Sequence, residues 1–167
     1  MSSTPMTFIC DRCGGLIEQP EHGWVEWRCR LNPTAEQTHG YRSRIVHADG
    51  FSPSVRGCRY REFGRELVGG ESVGDAALPE FLGDDGLIRI LEKIVDRDLP
   101  LEELLELLKR TRLQNYEFAR RHFDDALDAG ILERDQLYGY WSSADLERVI
   151  RWVNGEDENQ ADDERRT

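Results

Sequence analysis

Lysine is almost missing from this 167-residue chain: of its 22 bases only Lys93 and Lys109 are lysine, and the others are arginine. Long apolar runs are missing too. No stretch approaches the roughly 20 residues that a membrane helix needs, so no membrane partner is expected. Residues 1–10 hold neither a cationic nor an apolar segment, so they do not read as a secretory leader, and a cytoplasmic location is expected. Cysteine is scarce, at four residues, and without an export signal these are expected as thiols or metal ligands, not disulfides. Positive charge is in deficit: 33 acids stand against 22 bases, a net charge of -11, which excludes a generally basic nucleic-acid coat protein. A Gly-rich phosphate loop, a nucleophile elbow and a His-Glu-x-x-His pair are all absent, so no small-molecule substrate suggests itself.

Hydrophobic residues make up 38% of the chain, enough for one ordinary domain or two small ones. Charge is uneven along it. Residues 1–68 carry 9 Arg against 8 acids, whereas residues 69–153 carry 11 bases against 19 acids. Residues 154–167 add 6 acids and 2 bases with no large apolar side chain, and are expected to be a disordered acidic tail. Glycines in Val68-Gly69-Gly70-Glu71-Ser72-Val73-Gly74-Asp75 predict a loop or linker over 69–84. The predicted organisation is therefore α+β: a small metal-binding β module over 1–68, the linker, and a helical domain over 85–153.

Alternation predicts two half-buried strands in the first module. In Trp24 to Arg30, Val25, Trp27 and Cys29 share one face, and Glu26, Arg28 and Arg30 the other. In Tyr41 to His47, Tyr41, Ser43, Ile45 and His47 share a face, opposite Arg42 and Arg44. Residues 31–40 would form a polar loop between them. Four helices follow by apolar periodicity. The first, about 86–95, turns Leu87, Leu91, Ile94 and Val95 inward. The second, after Pro100, turns in Leu101, Leu104, Leu105 and Leu108. The third spans about 115–129 with Tyr116, Ala119, Phe123, Ala126 and Leu127 on one face, stopped by Gly130. The fourth opens on a capping box, Ser142 to Asp145, and buries Leu146, Val149, Ile150 and Val153.

Cys10-Asp11-Arg12-Cys13-Gly14-Gly15 carries the sharpest chemical signal. Two thiolates at this spacing on a tight turn can share one tetrahedral ion, and the following glycine lets the backbone turn back towards sulfur. The motif resembles a zinc knuckle, which implies one structural zinc ion. Two further ligands are needed, and the candidates are Cys29, His39, His47 and Cys58. His47, at a strand end before the turn sequence Ala48-Asp49-Gly50, and Cys58, after Gly57, are the expected pair. Cys29 shares the parity of Val25 and Trp27, which fits a buried core thiol. The alternative is that Cys10 and Cys13 are plain thiols or a redox pair. A redox pair usually sits at a strand–helix junction, and Pro20 breaks the segment that follows.

Residues 28–66 are locally basic. If the two strands pair, Arg28, Arg30, Arg42 and Arg44 could line one surface suited to phosphate; the alternative is that they pair with carboxylates. The run from Leu99-Pro100-Leu101 through Leu113 to Gly130-Ile131-Leu132 resembles a winged helix, covering about 85–153. That resemblance implies nucleic-acid binding through the third helix. Glu117, Asp124, Asp125 and Asp128 on that helix oppose it, so contacts would move to Arg110, Arg112, Arg120 and Arg121. Tyr138, Tyr140 and Trp141 are expected to cover the domain's own core.

The first expectation is a non-enzymatic, zinc-binding, nucleic-acid-associated regulatory protein. The second is a protein–protein adaptor with a structural zinc. A remote third is a zinc-stabilised nuclease, because Ile45-Val46-His47-Ala48-Asp49 resembles the catalytic strand of that family. Such an enzyme needs a downstream Asn and His, and residues 48–68 contain neither.

Overall fold

The computed structural model describes residues 6–31, 38–60, 71–133 and 141–156, with the backbone alone at 31, 38 and 39. Phe8–Ile9 (β1) and Leu16–Ile17 (β2) pair antiparallel, Phe8 opposite Ile17, on either side of the cysteine turn. Phe8 and Ile17 are fully buried, so apolar anchors hold the base of this hairpin. Gly23–Leu31 (β3), Thr38–His47 (β4) and Glu71–Ala77 (β5) form a second antiparallel sheet in the order β4-β3-β5. The mixed α+β architecture is as expected, with small antiparallel sheets followed by helices. Val25, Trp27 and Cys29 of β3 face the core together, as their alternation predicted.

The face expected for β4 is changed by a bulge. Register passes from Glu26 opposite Arg44 to Arg28 opposite Tyr41, so β4 carries one residue more than β3 here. Arg42 adopts a left-handed φ of 53° at this point. Tyr41, not Arg42, therefore shares the outer face with Arg44 and Arg28.

The linker expected over 69–84 is corrected. Residues 71–77 are β5, paired along β3, and Leu78–Phe81 is a short 3-10 turn. Gly74 stands opposite Trp27, where an added Cβ would run into the indole. That glycine makes room for the tryptophan and does not loosen the chain.

Gly83–Asp96 (α1) and Leu101–Arg112 (α2) pack on the sheet, and Ile90, Leu104 and Leu107 join Val25, Trp27, Ile45 and Phe81 in one core. The inward faces differ from expectation. On α1 only Ile94 of the predicted set packs against the core, beside buried Ile90 and Gly86, while Leu91 and Val95 are exposed. On α2 Leu104 and Leu108 pack inward but Leu101 and Leu105 are exposed, and Leu107, Arg110 and Thr111 are buried instead. Leucine at 101, 104, 105, 107 and 108 leaves the periodicity of α2 without a single inward face.

The chain divides into compact units of residues 1–112 and 113–167, so the boundary falls after α2 and not at 69–84. The second unit holds Tyr116–Ala119 (α3), Phe123–Asp128 (α4) and Ser143–Val153 (α5) around Tyr116, Ala119, Ala126, Leu132, Leu146 and Val149. A 3-10 turn at Arg120–His122 breaks the single helix expected over 115–129. This interruption, and the placement of α1 and α2 in the first unit, remove the helix arrangement on which the winged-helix resemblance rested. Trp141 packs on Phe123, ring centroids 5.6 Å apart, in keeping with its core reading. Tyr138, Tyr140 and the rest of the expected wing over 134–140, and tail residues 157–167, lie outside the described residues.

Candidate metal centre

The β1–β2 turn is built by its own backbone. Cys10 N–H donates to Gly15 O at 2.9 Å and Gly14 N–H to Cys10 O at 2.8 Å. Gly14 has a φ of +72°, the left-handed region that a side chain disfavours. The Cys10 and Cys13 side chains are thereby turned towards the end of β4, where His47 stands. The loop after β4 brings Cys58 to the same place, with Gly57 ahead of it at a φ of +72°.

Ligand atoms of Cys10, Cys13, His47 and Cys58 all lie within 4.8 Å of one another, close enough to hold one metal ion. Cys13 Sγ is 3.5 Å and Cys58 Sγ 3.8 Å from His47 Nδ1. Tetrahedral bonds of about 2.3 Å to sulfur and 2.0 Å to nitrogen would give S···N edges of about 3.6 Å. The two sulfur–nitrogen distances are close to those edges. Cys10, His47 and Cys58 are buried and Cys13 is exposed, so the cluster opens to solvent on one side.

The imidazole is already oriented. His47 Nε2 lies 3.0 Å from Leu16 O. A carbonyl only accepts, so Nε2 carries the proton and Nδ1 presents its lone pair to the sulfurs. Charge is arranged for a cation as well. Burial works against a Cys10 thiolate, but backbone N–H groups of Cys13, His47 and Arg12 outweigh it and lower that thiol to about 7. Burial raises the Cys58 thiol to about 11, opposed by the Ser52 hydroxyl and reinforced by neighbouring Cys10. A divalent cation among the thiols removes that resistance, because it compensates the thiolate charges.

Cys29 is buried in the core, away from the cluster, and burial raises its thiol. His39's side chain lies outside the described residues. Cys10 and Cys13 occupy a β-hairpin turn, not the strand–helix junction of a redox pair.

Supporting contacts come from residues that no local pattern singles out. Asp11, between the two cysteines, accepts Ile45 N–H at 2.7 Å and the Arg110 guanidinium at 2.5 Å. Arg110 also donates to Ile9 O at 3.1 Å, so α2 holds the N-terminal side of the turn. Glu26 is fully buried beneath Arg44, whose Nε is 2.7 Å away. It also accepts Tyr60 N–H at 3.0 Å, while Arg44 Nη2 donates to Cys58 O at 3.2 Å. The loop that delivers Cys58 is thus pinned to β3 and β4 through one buried ion pair. Burial pushes the Glu26 carboxyl above its ordinary range, against the pull of Arg44 and Arg59. Glu26 is 34 residues from Tyr60 and Asp11 is 99 from Arg110, beyond any local spacing rule.

The arginines expected to meet nucleic acid are largely committed elsewhere. Arg28 and Arg30 pair with Glu71 at 3.7 and 2.9 Å, and Arg44 pairs with Glu26 and lies 3.4 Å over the Tyr60 ring. Arg110 is buried in its Asp11 pair, and Arg112 donates to Phe81 O at 3.4 Å. Arg120 pairs with Glu117 at 3.2 Å. Arg42 and Arg121 are exposed. The continuous cationic face expected from Arg28, Arg30, Arg42 and Arg44 is therefore neutralised in place by Glu26 and Glu71 and interrupted by the bulge.

No protein-family description, curated protein or solved structure matches the chain.

Proposed function

We propose that the chain is a zinc-binding, non-enzymatic protein whose role is to bind another protein. The observation that carries the zinc assignment is the convergence of three thiols and one correctly presented imidazole within 4.8 Å. A tetrahedral set of soft sulfur donors with imidazole suits zinc above the hard divalent ions. Four protein ligands leave no open coordination position, which favours a structural ion over a catalytic one. The pairing of Arg28, Arg30 and Arg44 with Glu71 and Glu26 supports a protein partner over nucleic acid. A chain of net charge -11 whose Arg28, Arg30 and Arg44 are already paired has little to offer a phosphate backbone.

Elemental analysis of the purified chain should find one zinc per chain. Cobalt substitution should produce a thiolate charge-transfer band that weakens in Cys58→Ser. Zinc-replete protein should give no salt-sensitive anisotropy change with random duplex or single-stranded DNA. Steep salt-dependent DNA binding would overturn the protein-partner reading, and absence of bound zinc after refolding with it would overturn the metal assignment.

A further inference from the structure

One side of α1 packs on the sheet; the other carries an apolar row. Ile88, Leu91 and Val95 follow one another at helical spacing and are 54%, 48% and 79% exposed. Single exposed apolar residues are ordinary, but an aligned row over two turns is not. Beside it runs an open groove of about 590 Å³ lined by Pro79, Leu82, Ile88, Asp85, Glu92 and the Glu80–Arg89 pair. That volume is in the range of ligand-sized clefts.

Charge around the row is one-sided. The two cations of α1 are committed: Arg89 pairs with Glu80, and Lys93 with Asp98 at 3.1 Å. Asp84, Asp85, Glu92 and Asp96 are exposed and make no ion pair with another described residue. An apolar stripe with an unneutralised acidic border remains.

We propose that this outer face of α1 docks a basic amphipathic helix of a partner protein. A helical row of knobs is complementary to the face of a second helix, which would cover Ile88, Leu91 and Val95. A lysine or arginine on the partner's edge would lay its aliphatic stem along Leu82 and Ile88 and place its charge between Asp85 and Glu92. A second copy of this chain is the poorer occupant, because packing α1 on α1 sets acids against acids. The same border repels nucleic acid and anionic membranes. The inference rests on the protein-partner reading and names the chemistry of that partner.

The test uses the zinc-replete full chain and two labelled peptides of about five helical turns. Both carry a leucine stripe; one is flanked by lysine and its twin by glutamate. The lysine peptide should bind at least about tenfold tighter at low salt, with the gap closing as salt rises. Leu91→Ser should weaken it about tenfold, consistent with the loss of a buried leucine contact, and Asp85→Lys/Glu92→Lys should reverse the preference. These positions are exposed, so unchanged circular dichroism will show that each variant is folded. Equal binding of both peptides, no binding of either, or indifference to Leu91→Ser would overturn the proposal. Self-association abolished by Leu91→Ser would replace the partner with a second copy. Failure of the peptide with zinc bound and DNA ignored removes this surface alone, whereas salt-sensitive DNA binding removes the wider reading.

Discussion

At the scale of single residues, the four cysteines divide into two kinds. Cys10 and Cys58 share a site with Cys13 and His47, whereas Cys29 is packed among apolar side chains. Cys29→Ser should therefore keep one metal ion per chain, while Cys10→Ser should lose it; metal content after gel filtration reads both. Proton competition follows from the thiols. Cys58 near 11 must lose a proton on metal binding at any neutral pH, and Cys10 joins it below about 7. Zinc affinity should fall at least about tenfold for each unit by which pH is lowered towards 7, and more steeply as pH is lowered further, measured by competition with a chromophoric chelator. In the second unit, Ser142 Oγ accepts Asp145 N–H at 3.2 Å and donates to its carboxylate at 2.7 Å. The Ser142 hydroxyl holds the Asp145 carboxyl below its ordinary 3.8. Because the folded value is depressed, its stabilisation is present above that ordinary value and lost as pH falls through the folded one. Ser142→Ala should cost about 1 kcal/mol at pH 7 in urea unfolding of α5, and less in acid.

At the scale of elements, two long-range carboxylate contacts orient α2. Glu103 accepts the Arg42 and Ser43 N–H groups freed by the β4 bulge, at 2.8 and 2.5 Å. Arg110 reaches Asp11 and Ile9 at the other end of the helix. The first contact satisfies backbone donors that the sheet leaves unpaired, and the second compensates a buried cation. Arg110→Met leaves Asp11 without that cation and should cost on the order of 3 kcal/mol in denaturant unfolding of the metal-bound chain. Adding Asp11→Asn should cost much less than a second independent loss, since both changes delete one interaction.

At the scale of the molecule, residues 1–112 and 113–167 each have their own apolar cluster. Two ligands, Cys10 and Cys58, belong to the first cluster, so metal removal acts on that unit. Structural zinc sites contribute up to on the order of 10 kcal/mol to folding. A strong chelator should therefore shift the indole N–H resonances of Trp24 and Trp27 towards unfolded positions. Those of Trp141 and Trp152, which pack in the second cluster, should stay in place. A common shift of all four would show that the units unfold together.

Local pattern alone determined much of this protein. The Cys10–Gly15 turn, the alternation of β3, the capping box at Ser142 and the presence of α1 and α2 all follow from spacing within a few residues. So did the choice of His47 and Cys58, because each stands next to a turn that can bring it back to the knuckle. What depended on distant partners could not be read the same way. The Gly-rich segment became β5 because Gly74 accommodates Trp27, 47 positions earlier in register pairing. The inward faces of α1 and α2 followed contacts with the sheet, since their leucine-rich sequences admit several. The arginines looked like an open cationic surface until pairing brought Glu71 and the buried Glu26 among them. Backbone propensity and side-chain period act over a turn or a strand. Charge compensation and burial are decided only when remote segments meet.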